Sequence, residues 1–101
     1  MGLVRRKKNG AKSTKPRKND KFNIFDVDGS FKSYGTLLTD ERLNFFDIDG
    51  KYVSSGRFID DTIFNIFDEE EQYVAFGKMI TKKKFNIFDI DGQLVSSGTF
   101  I

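Results

Sequence analysis

From residue 22 onward the chain repeats itself every 21 residues, four times over, without an insertion. Apolar residues open the units at Phe22, Leu43, Phe64 and Phe85. Asn recurs at 23, 44, 65 and 86, Phe at 25, 46, 67 and 88, Asp at 26, 47, 68 and 89, and Gly at 35, 56, 77 and 98. The last unit stops at Ile101, in step with Leu38, Ile59 and Ile80. A fixed period of this length decides the architecture before any local signal is weighed. It divides the chain into a basic extension, 1–20, and a repeat domain, 21–101, with units 22–42, 43–63, 64–84 and 85–101.

Each unit reads as a β-hairpin. Phe22 to Val27 is the aromatic and β-branched mixture that strands prefer. Asp28-Gly29 follows, a leading pair for a type I′ turn, in which both central residues need φ > 0. A second strand comes next, clearest at Lys51 to Ile59, and a polar stretch such as Asp60-Asp61-Thr62 returns the chain to the next unit. The third unit has Glu70-Glu71 in place of Asp-Gly, which predicts a looser turn or one of another type.

A two-residue turn at 28–29 places 27 opposite 30, 25 opposite 32 and 22 opposite 35. One face then carries Phe25 and Val27, with Val53 and Ile59 at matching places in the second unit. The other carries Phe22, Ile24 and Phe31, with Tyr52 and Phe58. The recurrent Gly falls opposite the first apolar residue of its unit, a site for a ring to cover a strand glycine. With both faces partly apolar, the expected fold is all-β: four tandem hairpins forming a curled antiparallel sheet or a small barrel.

Composition supports a small core. A domain of about 80 residues buries only around 60–65% of its unfolded surface and needs dense packing. All twelve Phe and all three Tyr lie after residue 20. Cys and His are absent, which removes disulfides, thiolate chemistry and the commonest acid–base and zinc-binding side chain. The expectation is a non-enzymatic protein without a cofactor.

The run Phe-Asp-x-Asp-Gly-Lys-Tyr-Val-Ser-Ser-Gly-Arg-Phe at 46–58, recurring every 21 residues, resembles MORN-type repeats of the divergent bacterial kind. The likeness covers residues 22–101, and the YD repeats of large bacterial toxins look similar. It implies a scaffold or binding surface, sometimes at membranes, and no catalysis.

Two chemical readings compete for the Asp-x-Asp-Gly segments. Phe-Asp-Ile-Asp-Gly at 88–92 resembles the nucleophile motif of haloacid-dehalogenase-type phosphatases, but the usual Thr after Asp-Gly is replaced by Ser30, Lys51 and Gln93. A calcium loop starting at Asp26 would need a ligand at its fifth position, Gly at the sixth and Glu at the twelfth. Ser30, Phe31 and Leu37 stand there. The turn reading prevails, with Asp26, Asp47, Asp68 and Asp89 capping turn amides or pairing with the adjacent Asn ladder.

Charge is distributed unevenly. Residues 1–20 hold Arg5, Arg6, Lys7, Lys8, Lys12, Lys15, Arg17 and Lys18 against Asp20 alone, a net +7. Residues 21–101 hold nine basic and fourteen acidic groups, a net −5. Such an extension suits a polyanion, and it is similar to those by which ribosomal proteins enter rRNA, each cation neutralising a phosphate. Lys82-Lys83-Lys84 extends that basic surface if it lies on the same side. Rival readings of the extension are nuclear targeting through Arg5–Lys8 or Lys15–Lys18, anionic lipid, or solubility.

The functional expectation is a small ribosomal or ribosome-associated protein held to structured RNA by its N-terminal extension, among neighbouring proteins in a large assembly. Tyr34, Tyr52 or Tyr73 could stack on splayed bases. The alternative is a MORN-type interaction module, a scaffold or viral structural component using sheet edges and apolar faces. No run is long and apolar enough to span a membrane, and no apolar segment of signal-peptide type follows the basic start. Arg6 stands where a myristoylation pattern wants Ser or Thr. A soluble, cytoplasmic protein without a small-molecule substrate is expected.

Overall fold

The Asp-x-Asp-Gly segments end one strand and begin the next, and the polar linkers do the same at the opposite side. The structure, a computed structural model, describes residues 20–101. Its strands are β1 (Lys21–Asp26), β2 (Phe31–Thr39), β3 (Arg42–Phe46), β4 (Tyr52–Phe58), β5 (Ile63–Asp68), β6 (Tyr73–Met79), β7 (Lys84–Asp89) and β8 (Leu94–Phe100). Every neighbouring pair is antiparallel, and β8 returns to β1 to close a barrel.

The stagger that closes the barrel follows from the repeat. Phe22 faces Gly35 on β2, and Gly35 faces Phe45 on β3. Phe45 is the repeat equivalent of Ile24, so each hairpin advances the register by two residues. After four hairpins β8 lies beside β1, with Phe22 opposite Phe100 and Ile24 opposite Gly98. Eight strands enclose a space that side chains just fill. The filling is Phe22, Ile24, Leu37, Leu43, Phe45, Phe64, Ile66, Phe85, Ile87 and Phe100, with Phe58, Ala75 and Met79 packed against them. Each large apolar side chain so buried contributes roughly 1.5–3 kcal/mol.

The glycine expectation holds in this geometry. Gly35, Gly77 and Gly98 lie opposite Phe22, Phe64 and Phe85, all fully buried. A Cβ at any of the three glycines would overlap the facing ring. Gly56 faces Leu43 instead, and there a Cβ would lie 3.0 Å from Leu43 Cδ1 and 3.2 Å from Phe45 Cε2. The rings meet edge to face, with Phe22–Phe85 at 5.4 Å and Phe64–Phe85 at 5.3 Å between centroids.

The turns differ from the expected type. Gly29 N donates to Asp26 O at 2.8 Å, and Asp26 N donates to Ser30 O at 2.8 Å. Of these turn residues only Gly29 has positive φ, at 90°. This is a three-residue connection, a type I turn closed by a left-handed residue and a bulge, rather than a type I′ pair. The extra residue makes Phe25 face Phe31 instead of Lys32. It also moves Phe31 and Tyr52 off the face of Phe22 and Ile24, where they were expected, to the outer one, because a one-residue slip reverses side-chain direction. There Phe31 packs on Phe25 and Tyr52 on Phe46.

The third unit was expected to turn differently and does not. Glu71 N donates to Asp68 O at 3.0 Å and Asp68 N to Gln72 O at 2.9 Å, the same pattern as its neighbours. Glu71 occupies the glycine's place with φ 65°. A side chain there costs about 1–2 kcal/mol.

Two stability outcomes are expected. Glu71→Gly raises the urea midpoint by the equivalent of roughly 1 kcal/mol at constant slope, since the lost Arg57–Glu71 pair, 3.6 Å and exposed, contributes little. Gly77→Ala and Gly98→Ala each cost about 1–3 kcal/mol by overpacking. Gly56→Ala is close to neutral, because Leu43 can shift where a ring over the glycine cannot. Equal costs at all three glycines would refute the ring-over-glycine account.

Candidate functional site

Because strands alternate direction, every hairpin turn falls at one end of the barrel and every linker at the other. The turn end collects Asp26, Asp28, Asp47, Asp49, Asp68, Glu69, Glu70, Glu71, Asp89 and Asp91, with Lys32 and Lys51 as the basic residues among them. Lys32 lies 3.7 Å from Asp26. The linker end is mixed. Asp40, Glu41, Asp60 and Asp61 occupy the linkers after β2 and β4, while Lys82 and Lys83 occupy the linker after β6. Lys84 and Lys21 open β7 and β1 beside them.

Four of the ten turn-end carboxylates, one in each unit, cap the backbone of their turns. Asp47 Oδ1 accepts the amides of Asp49 and Lys51, both at 2.9 Å. Asp68 does the same for Glu70 and Gln72, and Asp89 for Asp91 and Gln93. The turn-capping expectation is met at these three positions. In the first unit the duty moves to Asp28, whose Oδ1 accepts from the Ser30 hydroxyl at 2.7 Å and the Ser30 amide at 2.9 Å. These bonds, the hydroxyl's first, hold the Asp28 carboxyl below its ordinary pKa. The Asp-x-Asp-Gly segments are therefore bulged turns between antiparallel strands, not the parallel α/β context of the phosphatase motif. Among the described residues no group of three or more His, Cys, Asp or Glu is arranged to hold a metal ion.

Lys82, Lys83 and Lys84 are held in one tight turn. Thr81 Oγ1 accepts the amides of Lys83 and Lys84 at 3.1 Å, and Ile80 N donates to Lys84 O at 2.8 Å. Phe100 N on β8 donates to Lys83 O at 2.7 Å, and Ile101 N donates to Lys21 O at 2.9 Å. In register, Lys84 faces Thr99 and Thr99 faces Asn23 on β1. The triple lysine thus stands two strand spacings, about 10 Å, from the strand on which the N-terminal extension is rooted. Of the residues expected to bind nucleic acid, Arg5, Arg6, Lys7, Lys8, Lys12, Lys15, Arg17 and Lys18 lie outside the described residues.

The outer wall carries four repeat-related rows across the strands: Asn23–Tyr34–Phe46–Tyr52, Asn44–Ser55–Phe67–Tyr73, Asn65–Phe76–Phe88–Leu94 and Asn86–Ser97–Phe25–Phe31. Tyr34 stacks on Phe46 at 5.6 Å and Phe76 on Phe88 at 5.2 Å. In the second row Ser55 leaves room, and the Arg57 guanidinium covers Phe67 at 5.2 Å. The segregation of acid to one end was missed by reading charge along the chain. Summing charge by position within the repeat would have found it.

The fold defines an all-β protein, four hairpin repeats closed into an eight-stranded antiparallel barrel. No family model and no curated protein matches the chain. Among solved structures it is similar to a redesigned β-barrel, at 14% identity and a TM-score of 0.41, over 83% of this chain and 88% of that one.

The Ser30 bond gives a direct test. Because the folded pKa of Asp28 is depressed, its contribution is present above the unfolded pKa and lost as pH falls through the folded value. Ser30→Ala should move the Asp28 carboxyl back toward its ordinary pKa in an NMR titration. An unchanged titration would show that the Ser30 hydroxyl has no such effect.

Proposed function

We propose that the protein binds structured RNA without catalysing a reaction, its basic extension and the Lys82–Lys84 corner forming one cationic surface. The observation that carries this reading is placement. The triple lysine sits beside the root of the extension, while ten of the chain's fifteen acidic residues are gathered at the opposite end. A polyanion meets attraction at one end of the barrel and repulsion at the other, which orients the domain on RNA. The same field argues against base stacking at Tyr52 and Tyr73, which follow the acidic turns directly. Closure of the barrel removes the free sheet edges on which a strand-addition partner would pair, which weighs against that form of the MORN-type interaction reading. The likeness of the extension to those of ribosomal proteins supports a place in a ribosomal or similar cytoplasmic assembly.

Fluorescence anisotropy with a labelled RNA hairpin, across a series of salt concentrations, tests the proposal. Affinity should fall steeply with salt, by roughly 0.7–0.9 log units per phosphate contact per decade. Changing Lys82, Lys83 and Lys84 together to Gln should shallow that slope by about 2–3 units. Changing the eight cations of the extension to Gln should abolish binding. Retention of full affinity by the second variant would refute the proposal. Co-sedimentation of the native protein with ribosomal subunits tests the setting separately.

A further inference from the structure

The barrel leaves both of its ends apolar. At the turn end Val27, Ile48 and Ile90, the first residue of three of the four turns, are 62–68% exposed. Val53, Val74 and Val95 stand exposed just behind them, and Val53 lines a shallow depression with Asp68, Glu69 and Glu70. At the linker end Leu38, Ile59, Ile80 and Ile101 are 46–76% exposed. Both sets follow the 21-residue period around the barrel axis, the linker-end set at all four positions and the turn-end set at three, with Glu69 at the fourth. Neither ring contributes to the core, which lies wholly between them.

Exposed aliphatics scattered singly are ordinary, but two repeat-matched rings at opposite ends of one barrel are a pair of surfaces. Closure leaves no sheet edge for lateral pairing, and the aliphatic residues repeated at both ends are the surfaces that match in spacing. Charge selects the occupant. The turn end holds ten carboxylates and two lysines, a net −8, so the rest of this +2 chain carries +10, at the linker end, on the walls beside it and in the extension rooted there. The turn end repels another turn end and attracts a linker end.

We infer that the acidic, aliphatic turn end is the docking surface for the linker end of a second copy of this chain, so that barrels stack head to tail along their axes. Val27, Ile48 and Ile90 of one copy meet the Leu38, Ile59 and Ile80 ring of the next. Such an interface is heterologous, the same two unlike surfaces meeting at every junction, so it extends into a row instead of closing as a dimer. One barrel end is small as specific interfaces go, so association is weak and depends on concentration. It is also favoured by low salt, because screening weakens the attraction between unlike ends.

The test uses full-length, nuclease-treated protein in sedimentation velocity, at concentrations from about 10 to 500 µM, where interfaces of this size class associate. The expected result is a sedimentation coefficient that rises through dimer to larger species at low salt and falls back at high salt. Ile48→Lys with Ile90→Lys alters the turn end alone. Ile59→Glu with Ile80→Glu alters the linker end alone. All four sites are more than half exposed, so neither variant disturbs the core. Each variant by itself should remain monomeric, and mixing the two should restore association, because the native linker end of the lysine variant meets the native turn end of the glutamate variant. A parent chain that stays monomeric throughout would overturn the inference. So would association lost in the lysine variant but intact in the glutamate variant, which marks a turn-end-to-turn-end dimer.

Discussion

The structure depends on an aromatic ring whose far end fills the space beside a glycine on the neighbouring strand. An eight-stranded barrel has an interior too narrow for a large side chain on every inward position. The repeat solves this by pairing its largest inward residue with its smallest, strand against strand, in three of the four units. Phe22, Phe64 and Phe85 each take the space that a Cβ at Gly35, Gly77 or Gly98 would need, and each is fully buried. The ring also fixes register, since a slip of one residue would set it against a side chain instead of a glycine. Leu43 fills the second site less completely, and Phe45 leans in to share it. Three rings over glycines therefore tolerate one imperfect copy.

Much of this was legible from the period alone. The pairing of the opening apolar residue with the recurrent glycine follows from counting back from the turn, and the structure has that register at Phe22 and Gly35. What failed was the turn. Asp28-Gly29 is consistent with both a two-residue and a three-residue connection, and the difference is one residue of bulge. That residue decides whether Phe31 and Tyr52 point into the barrel or out of it. Glu70-Glu71 misled for a related reason. Side-chain propensity at Glu71 disfavours positive φ, but the hydrogen-bond pattern set by Asp68 keeps the turn and forces Glu71 into it. Repeat context overrides local preference when a capping carboxylate is retained.

The candidate site was legible in part. The basic character of the extension and of Lys82–Lys84 is plain in the sequence, but their proximity is a property of barrel closure. Only when β8 pairs with both β7 and β1 do Lys84 and Asn23 become neighbours across one intervening strand. The concentration of acid at the turn end has the same origin. Asp in each unit is retained to close a turn, as at Asp47 and Asp89, and antiparallel topology then places every turn at the same end. A local hydrogen-bonding requirement, repeated four times, becomes a long-range field.

That field limits what the protein can bind. Asp28, Asp47, Asp68 and Asp89 serve the backbone and cannot be given up without loosening the turns, so that part of the acidic end follows from folding. A cationic surface on the same molecule must then lie away from it, and the linkers, which need no Asp-Gly chemistry, are where sequence is free to vary. The linkers vary accordingly: Asp60-Asp61 in one and Lys82-Lys83 in another occupy equivalent turns. Thr81 performs for Lys83 and Lys84 the amide-capping role that Asp60 performs for Thr62 and Ile63, with a neutral side chain in place of an acidic one. Replacing the capping acid by a hydroxyl is what allows a lysine cluster beside β1 without an opposing charge in its own turn. The repeat thus keeps the turn-closing residues at one end and lets charge vary at the other.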